Sequence, residues 1–321
     1  MSRHFLKRLL TQMLWIRSFE EKIAEKYPEQ EMRCPVHLSI GQEAVAVGAC
    51  AALKQTDVVF SGHRAHAHYL AKGGDPYGLI AEIYGRESGC SRGRGGSMHL
   101  IDLKVNFLGS VPIVASILPI ATGVAYAEKM NRKDTVTTAF LGEAAIEQGV
   151  FHEIVNFATL KKLPIIYVCE NNLYAVYTPL SERQPNRSIT KLVEGHGIHV
   201  FSADGNNVLK VYETMKKAVR YVRVGRGPVF IEFTTYRWRE HCGPNFDNYI
   251  GYRSEKEFLE WKETDPVVRL KRHLENEAIL TNDEFRALIQ QLSQEIEEVF
   301  QKVKSSPLAS KLINATDVYA Q

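Results

Sequence analysis

The sequence predicts an α/β fold: a mainly parallel sheet with helices on both faces, plus N- and C-terminal helices. Three observations predict it. From residue 114 onward, strand-like runs alternate with amphipathic helical stretches, the order expected of repeated βαβ units. The runs TVTTAFLG and LPIIYVCEN are apolar almost throughout, as parallel strands covered on both faces must be. With 321 residues, 45% hydrophobic and 24% charged, the chain has material for one large core.

In chain order, residues 3–26 carry apolar side chains at helical spacing. A loop with Pro35 then leads to GQEAVAVGACAALKQ, residues 41–55, whose small apolar side chains suit a closely packed helix. DVVF at 57–60 reads as a short strand opening into GHRAHAHYLAKGGDP, and 77–85 as a helix. Residues 87–112, ESGCSRGRGGSMHLIDLKVNFLGSVP, form a long glycine-rich connection of the kind that is disproportionately functional. Residues 114–130 read as a buried helix, 135–142 as a strand, 147–162 as a helix and 163–171 as a strand. The pattern repeats as strand 199–205, helix 208–223 and strand 227–237. Beyond Asp265 the chain turns charge-rich and helical, notably over 285–303. The expected organisation is an α/β domain over 1–265, including the N-terminal helix, and a helical extension over 266–321.

Composition excludes several classes. A net charge of +3 without a Lys/Arg block argues against nucleic acid as a partner. Cys34, Cys50, Cys90, Cys169 and Cys242 are odd in number and lack paired metal spacing, which suits a reducing compartment. The first residues mix acids with bases around the apolar positions, unlike a secretory signal, and no run reaches membrane-spanning length. The expectation is a mature cytoplasmic chain that does not contact a membrane.

Residues 135–172 carry the chemistry: a strand, a turn bearing Glu143, an amphipathic helix, and a strand ending in Asn171 and Asn172. In a parallel sheet both strand ends emerge at one edge, where ligands bind. A carboxylate and an amide oxygen suit a hard cation such as Mg²⁺, which shares phosphate oxygens readily. Arg64 and Arg237, each just after a strand, supply the cationic donors that a diphosphate needs. A plain βαβ crossover with polar strand ends and surface arginines is the ordinary alternative for each feature alone.

The block resembles the thiamine-diphosphate motif, Gly-Asp-Gly followed some thirty residues later by Asn-Asn, here Gly142-Glu143-Ala144 and Asn171-Asn172. HLSIGQEAVAVG, HRAHAHYLAKGGDP, GRESGCSRGRGGSMHL, NFLG and TYRWREHCGP occur in the order found in α subunits of thiamine-diphosphate-dependent pyruvate, branched-chain 2-oxoacid and acetoin dehydrogenases. The likeness spans roughly residues 5–275. It implies the thiamine-diphosphate-binding fold, with thiamine diphosphate and Mg²⁺ as cofactors. Arg64 and Arg237 would contact the diphosphate, with Val114, Gly142, Ala144, Ala145 and Asn172 also against the cofactor. Glu143, Asn172 and the backbone carbonyl of Tyr174 would hold the metal.

His37 and His66 match histidines lining the approach, His241 one on a loop beside the thiazolium, and Ser97 a residue supporting the wall. His63 and His68 receive no role. Imidazoles suit such places because they exchange protons near neutral pH. The resemblance implies a partner β subunit supplying the glutamate that activates the cofactor, an α2β2 heterotetramer, a 2-oxoacid substrate and, in the dehydrogenase version, a lipoyl acyltransferase.

Four features depart from the family. Glu143 stands for aspartate, and Ala144 for a glycine, where a Cβ would crowd the ligand or exclude a positive φ. Pro112 removes a backbone donor from 109–116. WREHCGP is expected to place Arg239, Glu240 and Cys242 near the substrate entrance. These departures leave two alternatives open: a non-oxidative carboligase of specialised or carbohydrate metabolism, and a cofactor-free structural subunit.

Overall fold

A computed structural model describes residues 1–310. Helix α1, Arg3–Lys26, starts where the Ser2 side chain accepts from the backbone N–H of Phe5 and buries Leu6, Leu9, Met13, Ile16, Phe19 and Ile23 at helical spacing. Helix α2, Glu43–Cys50, is shorter than the predicted 41–55, because Gln42 is not yet helical and the chain turns at Ala51. Strand β1, Val58–Ser61, leads to helix α3, His66–Lys72, and helix α4, Pro76–Ile83. Strand β2, Phe107–Ser110, emerges from the glycine-rich segment, where the sequence showed only an irregular connection. Helix α5, Ile117–Met130, strand β3, Thr137–Gly142, helix α6, Gly149–Lys161, and strand β4, Ile165–Asn171, follow.

Next come the hairpin strands β5, Tyr174–Ala175, and β6, Thr178–Pro179, then helices α7, Leu180–Arg183, and α8, Ile189–Glu194. Strand β7, His199–Asp204, helix α9, Val208–Arg223, and strand β8, Val229–Thr234, complete the sheet. Helices α10, Glu255–Lys262, α11, Pro266–Asn276, and α12, Asn282–Lys304, close the described chain. Residues 311–321 of the expected 266–321 extension lie outside the described residues.

The six-stranded sheet runs β2-β1-β3-β4-β8-β7, with every pairing parallel. The α/β class predicted from alternation is the observed one. All strand C-termini therefore share one edge, which is where Ser61, Gly142, Asn171 and Thr234 lie. β3 and β4 are buried along their length apart from Gly142, because helices cover both faces. One apolar cluster joins α1, α2, α9, α11 and α12; a second lies between the other sheet face and α5 and α6.

Helix α5 departs from its expected burial. Ile117, Leu118, Ala121 and Ala125 face the sheet, while Ile120, Tyr126 and Met130 are exposed. The apolar helix has two apolar faces, and the sequence period alone did not reveal that only one meets this chain.

The glycine-rich segment is ordered by one carboxylate. Buried Glu82 accepts from the backbone N–H groups of Ser91, Gly93, Gly95 and Gly96 at 2.6–3.1 Å. Four donors replace the hydration that the buried anion has lost.

Gly41, at φ +100°, is required where residues 36–43 meet the chain after β8. A Cβ there would stand 2.6 Å from the Tyr236 carbonyl and 2.8 Å from the Trp238 ring. Gly41→Ala is therefore expected to lower unfolding free energy by about 1–3 kcal/mol, measured as a shifted urea midpoint with an unchanged slope.

Candidate active site

A cavity of about 310 Å³ opens at the C-terminal edge of the sheet. Its walls come from three strand ends and three flanking segments. β1 delivers His63 and Arg64, β3 delivers Gly142, Glu143, Ala144 and Ala145, and β4 delivers Asn172 and Tyr174. His37 and Gln42 enter from the loop before α2, and His241 from the chain after β8. The segment from Val111 to Leu118, including Pro112 and Val114, forms the remaining wall.

Two backbone bonds hold the histidine-bearing segments together: Trp238 N–H to the Ile40 carbonyl at 2.9 Å, and Gly243 N–H to the Val36 carbonyl at 2.8 Å. Buried Glu20 of α1 accepts from Ser39 N–H at 2.8 Å, fixing the same loop from behind. The rings of His37, His63 and His241 thereby converge, with ligand nitrogens within 4.8 Å of one another. Burial first, then the Arg64 charge, pushes His37 down to about 2, His63 to about 4 and His241 to about 3.

Arg64 is buried, yet Nη1 donates to the Leu38 carbonyl at 2.6 Å and Nη2 to the His241 carbonyl at 3.1 Å. Among the described residues no carboxylate pairs with it. Burial and the neighbouring Arg237 charge pull its pKa down to about 10. Arg237 differs: Nη1 lies 3.4 Å from Asp247, Nη2 donates to the Val176 carbonyl and the Tyr252 hydroxyl, and the residue is fully buried behind the cavity wall.

Glu143 is buried and paired with Arg183, Nη2 standing 2.5 Å from Oε1. Burial pushes its pKa up, against the pull of Arg183. Asn172 Oδ1 accepts from Tyr174 N–H at 3.3 Å, and its Nδ2 lies 3.4 Å from Gln42 Oε1. Ala144 is not among the residues with positive φ, so its Cβ meets no backbone restriction of the kind its position suggested.

The sequence-predicted residues thus divide. Arg64, Val114, Gly142, Glu143, Ala144, Ala145, Asn172, Tyr174, His37 and His241 share one cavity. Placing His66 on the approach needs correction: it is fully buried, with Nδ1 3.1 Å from Glu20 and Nε2 2.7 Å from Ser97, itself fully buried. Arg239, Glu240 and Cys242, expected near the entrance, surround His241 in the chain after β8. Arg239 pairs with Glu21 of α1 and lies over the Phe246 ring at 4.1 Å, and none of the three lines the cavity.

Sequence reasoning assigned no role to His63 and His68, which also line the cavity. His68 stacks on Phe140 at 3.8 Å and its Nδ1 lies 2.8 Å from Ser61 Oγ. The available signal was helical spacing: α3 puts His66 and His68 on different faces, one toward α1 and one toward the strand ends. Arg183 was missed as well, because nothing in sequence links a residue after the hairpin to Glu143, 40 positions earlier.

Depressed histidine pKa values make stability depend on pH. In the unfolded chain these rings gain protons near the ordinary value of about 6.5, whereas the folded rings gain them only below about 4. Their contribution is present above pH 6.5 and is lost as pH falls below it. His63→Gln is expected to flatten the decline in urea midpoint between about pH 6.5 and 4, and imidazole NMR should show the three rings neutral at about pH 5.

The chain matches the family model described as dehydrogenase E1 component over residues 11–311. It is similar to the pyruvate dehydrogenase E1 component subunit alpha of Rickettsia typhi, 36% identical across 96% of this chain and 93% of that protein. It is 37% identical to the protein of that name from Porphyra purpurea, across 96% of this chain and 90% of that one. The protein of that name from Rhizobium meliloti is also 37% identical, across 90% of this chain and 81% of that one.

Proposed function

The chain belongs to the dehydrogenase E1 component family, and from that premise we propose that it is the α-type half of a thiamine-diphosphate-dependent 2-oxoacid dehydrogenase. It decarboxylates a 2-oxoacid together with a β-type partner and passes the acyl unit to a lipoyl acceptor.

The observation that carries this reading is Arg64: a buried guanidinium that, among the described residues, hydrogen-bonds only to carbonyls, beside a cavity that also holds the oxygens of Glu143 and Asn172. A buried cation without a counter-anion is costly, and a diphosphate supplies that anion. The donor set is all oxygen, which fits Mg²⁺. The residues present therefore fit a metal-diphosphate, and the cofactor-free reading would leave Arg64 unexplained.

When bound, thiamine diphosphate supplies the nucleophilic carbon and the electron sink that decarboxylation requires. Arg64 binds the diphosphate directly, while Arg237 adds its field from behind Val176. Glu143, Asn172 and the Tyr174 carbonyl hold the metal, and Val114, Gly142, Ala144 and Ala145 flank the cofactor. His37 and His241, neutral near pH 7, orient the 2-oxoacid and donate or accept a proton at an imidazole nitrogen. His66 acts as a positioning residue, tying Glu20 to Ser97.

Residues 1–265 read as the cofactor domain and, among the described residues, 266–310 as its helical extension. No described helix is long and apolar enough to cross a membrane, and the scattered free cysteines support a cytoplasmic location. Exposed Ile120, Tyr126, Met130, Phe157 and Leu160 on α5 and α6 support coverage by another chain, in keeping with an α2β2 assembly. The carboligase alternative was prompted by the altered loops, and one of their charges, Arg239, faces α1.

Co-expression with the β-type chain should give carbon dioxide release from a 2-oxoacid in a substrate panel. Arg64→Met is expected to weaken thiamine diphosphate binding roughly a hundredfold or more, measured by calorimetry with Mg²⁺ present. Unchanged affinity would sink the assignment.

A further inference from the structure

Glu143, read above as a metal ligand, already has a cation of its own. Arg183 reaches its carboxylate at 2.5 Å, reaches Glu147 with Nη1, and donates from Nε to the Thr178 carbonyl at 3.2 Å. Two carboxylates thus share one guanidinium. Their surroundings differ: the Glu143 side chain is 2% exposed, Arg183 11% and Glu147 26%. Glu147 also accepts from Gln184 Nε2 at 3.1 Å. Glu147 is therefore a second, wetter seat for Arg183.

Arg183 ends α7, which follows the hairpin formed by β5 and β6. That hairpin begins at Tyr174, whose carbonyl belongs to the metal set, and its second strand contains Thr178. The guanidinium and one metal ligand are carried by the same short stretch of chain.

A guanidinium and a divalent ion on one buried carboxylate repel each other strongly where water is excluded. Because Arg183 has a second carboxylate within reach, leaving Glu143 does not strand it without a partner. We propose that Arg183 is an internal competitor of the divalent metal. It gives up Glu143 when the metal binds, stays on Glu147, and so sets metal affinity and links metal loading to the hairpin and α7 that follows it. The inference rests on Glu143 being a metal ligand.

The probe is Mn²⁺, titrated into the complete two-chain assembly at saturating thiamine diphosphate and followed by loss of the free-ion electron paramagnetic resonance signal. Arg183→Gln is expected to tighten Mn²⁺ binding about fivefold or more, and Glu147→Gln, which removes the second seat, to weaken it comparably. Equal or weaker Mn²⁺ binding by R183Q overturns the proposal. Unchanged or tighter binding by E147Q also overturns it, and decides alone if R183Q does not fold. Glu143→Gln separates the two levels: Mn²⁺ affinity unchanged in E143Q removes the metal role of Glu143 itself, whereas a loss there with no effect in R183Q removes only the competition.

Discussion

Buried positive charge at the strand ends is the constraint around which this molecule is organised. A guanidinium out of water must find acceptors, and a formal anion is the strongest of them. Among the described residues the chain supplies that anion to its other buried arginines: Arg237 and Arg253 share Asp247, and the partly buried Arg17 has Glu43 and Asp265. Among the described residues Arg64 has carbonyls alone. That exception is what the proposed anion site rests on, and burial, with the Arg64 charge second, keeps the nearby imidazoles neutral.

Holding Arg64 in that position depends on parts of the chain far from the sheet. Its two acceptors, Leu38 and His241, lie on the segments joined through Trp238–Ile40 and Gly243–Val36. Those segments are fixed by one network: Arg17 of α1 binds Glu43, Glu43 accepts from Gly41 N–H, and Asp265 accepts from both Arg17 and the Trp238 indole N–H. The first helix, the loop before α2, the chain after β8 and the start of α11 are thereby one mechanical unit. The N-terminal helix contributes to the cavity without contributing a wall to it.

The sequence revealed the parts of this that follow local rules. Alternation gave the parallel strands and hence the shared edge, and the two strand-end motifs with Arg64 gave Gly142, Glu143, Ala144 and Asn172 of the cavity lining, while Arg237 lies behind it. What it did not reveal were matters of direction and partnership. His66 and His68 have the same residue type two positions apart, and only the packing of α3 decides that one meets Glu20 and the other lines the cavity. Arg239 looked like an entrance charge until the fold put Glu21 beside it. Strand β2 was hidden because four residues among glycines carry little periodic signal, and its place is set by pairing with β1.

The exposed apolar side chains connect the cavity to assembly. Ile113 and Val114 line the cavity wall, are exposed, and lead directly into α5. From there Ile120, Tyr126 and Met130 continue the apolar surface along α5, and the Tyr126 ring stands 5.7 Å from exposed Phe157 of α6. A monomer gains nothing by presenting this much apolar surface to water. A second chain seated on α5 and α6 would bury it and at the same time reach the cavity wall at Val114. Coverage of that face and completion of the active site are then the same event.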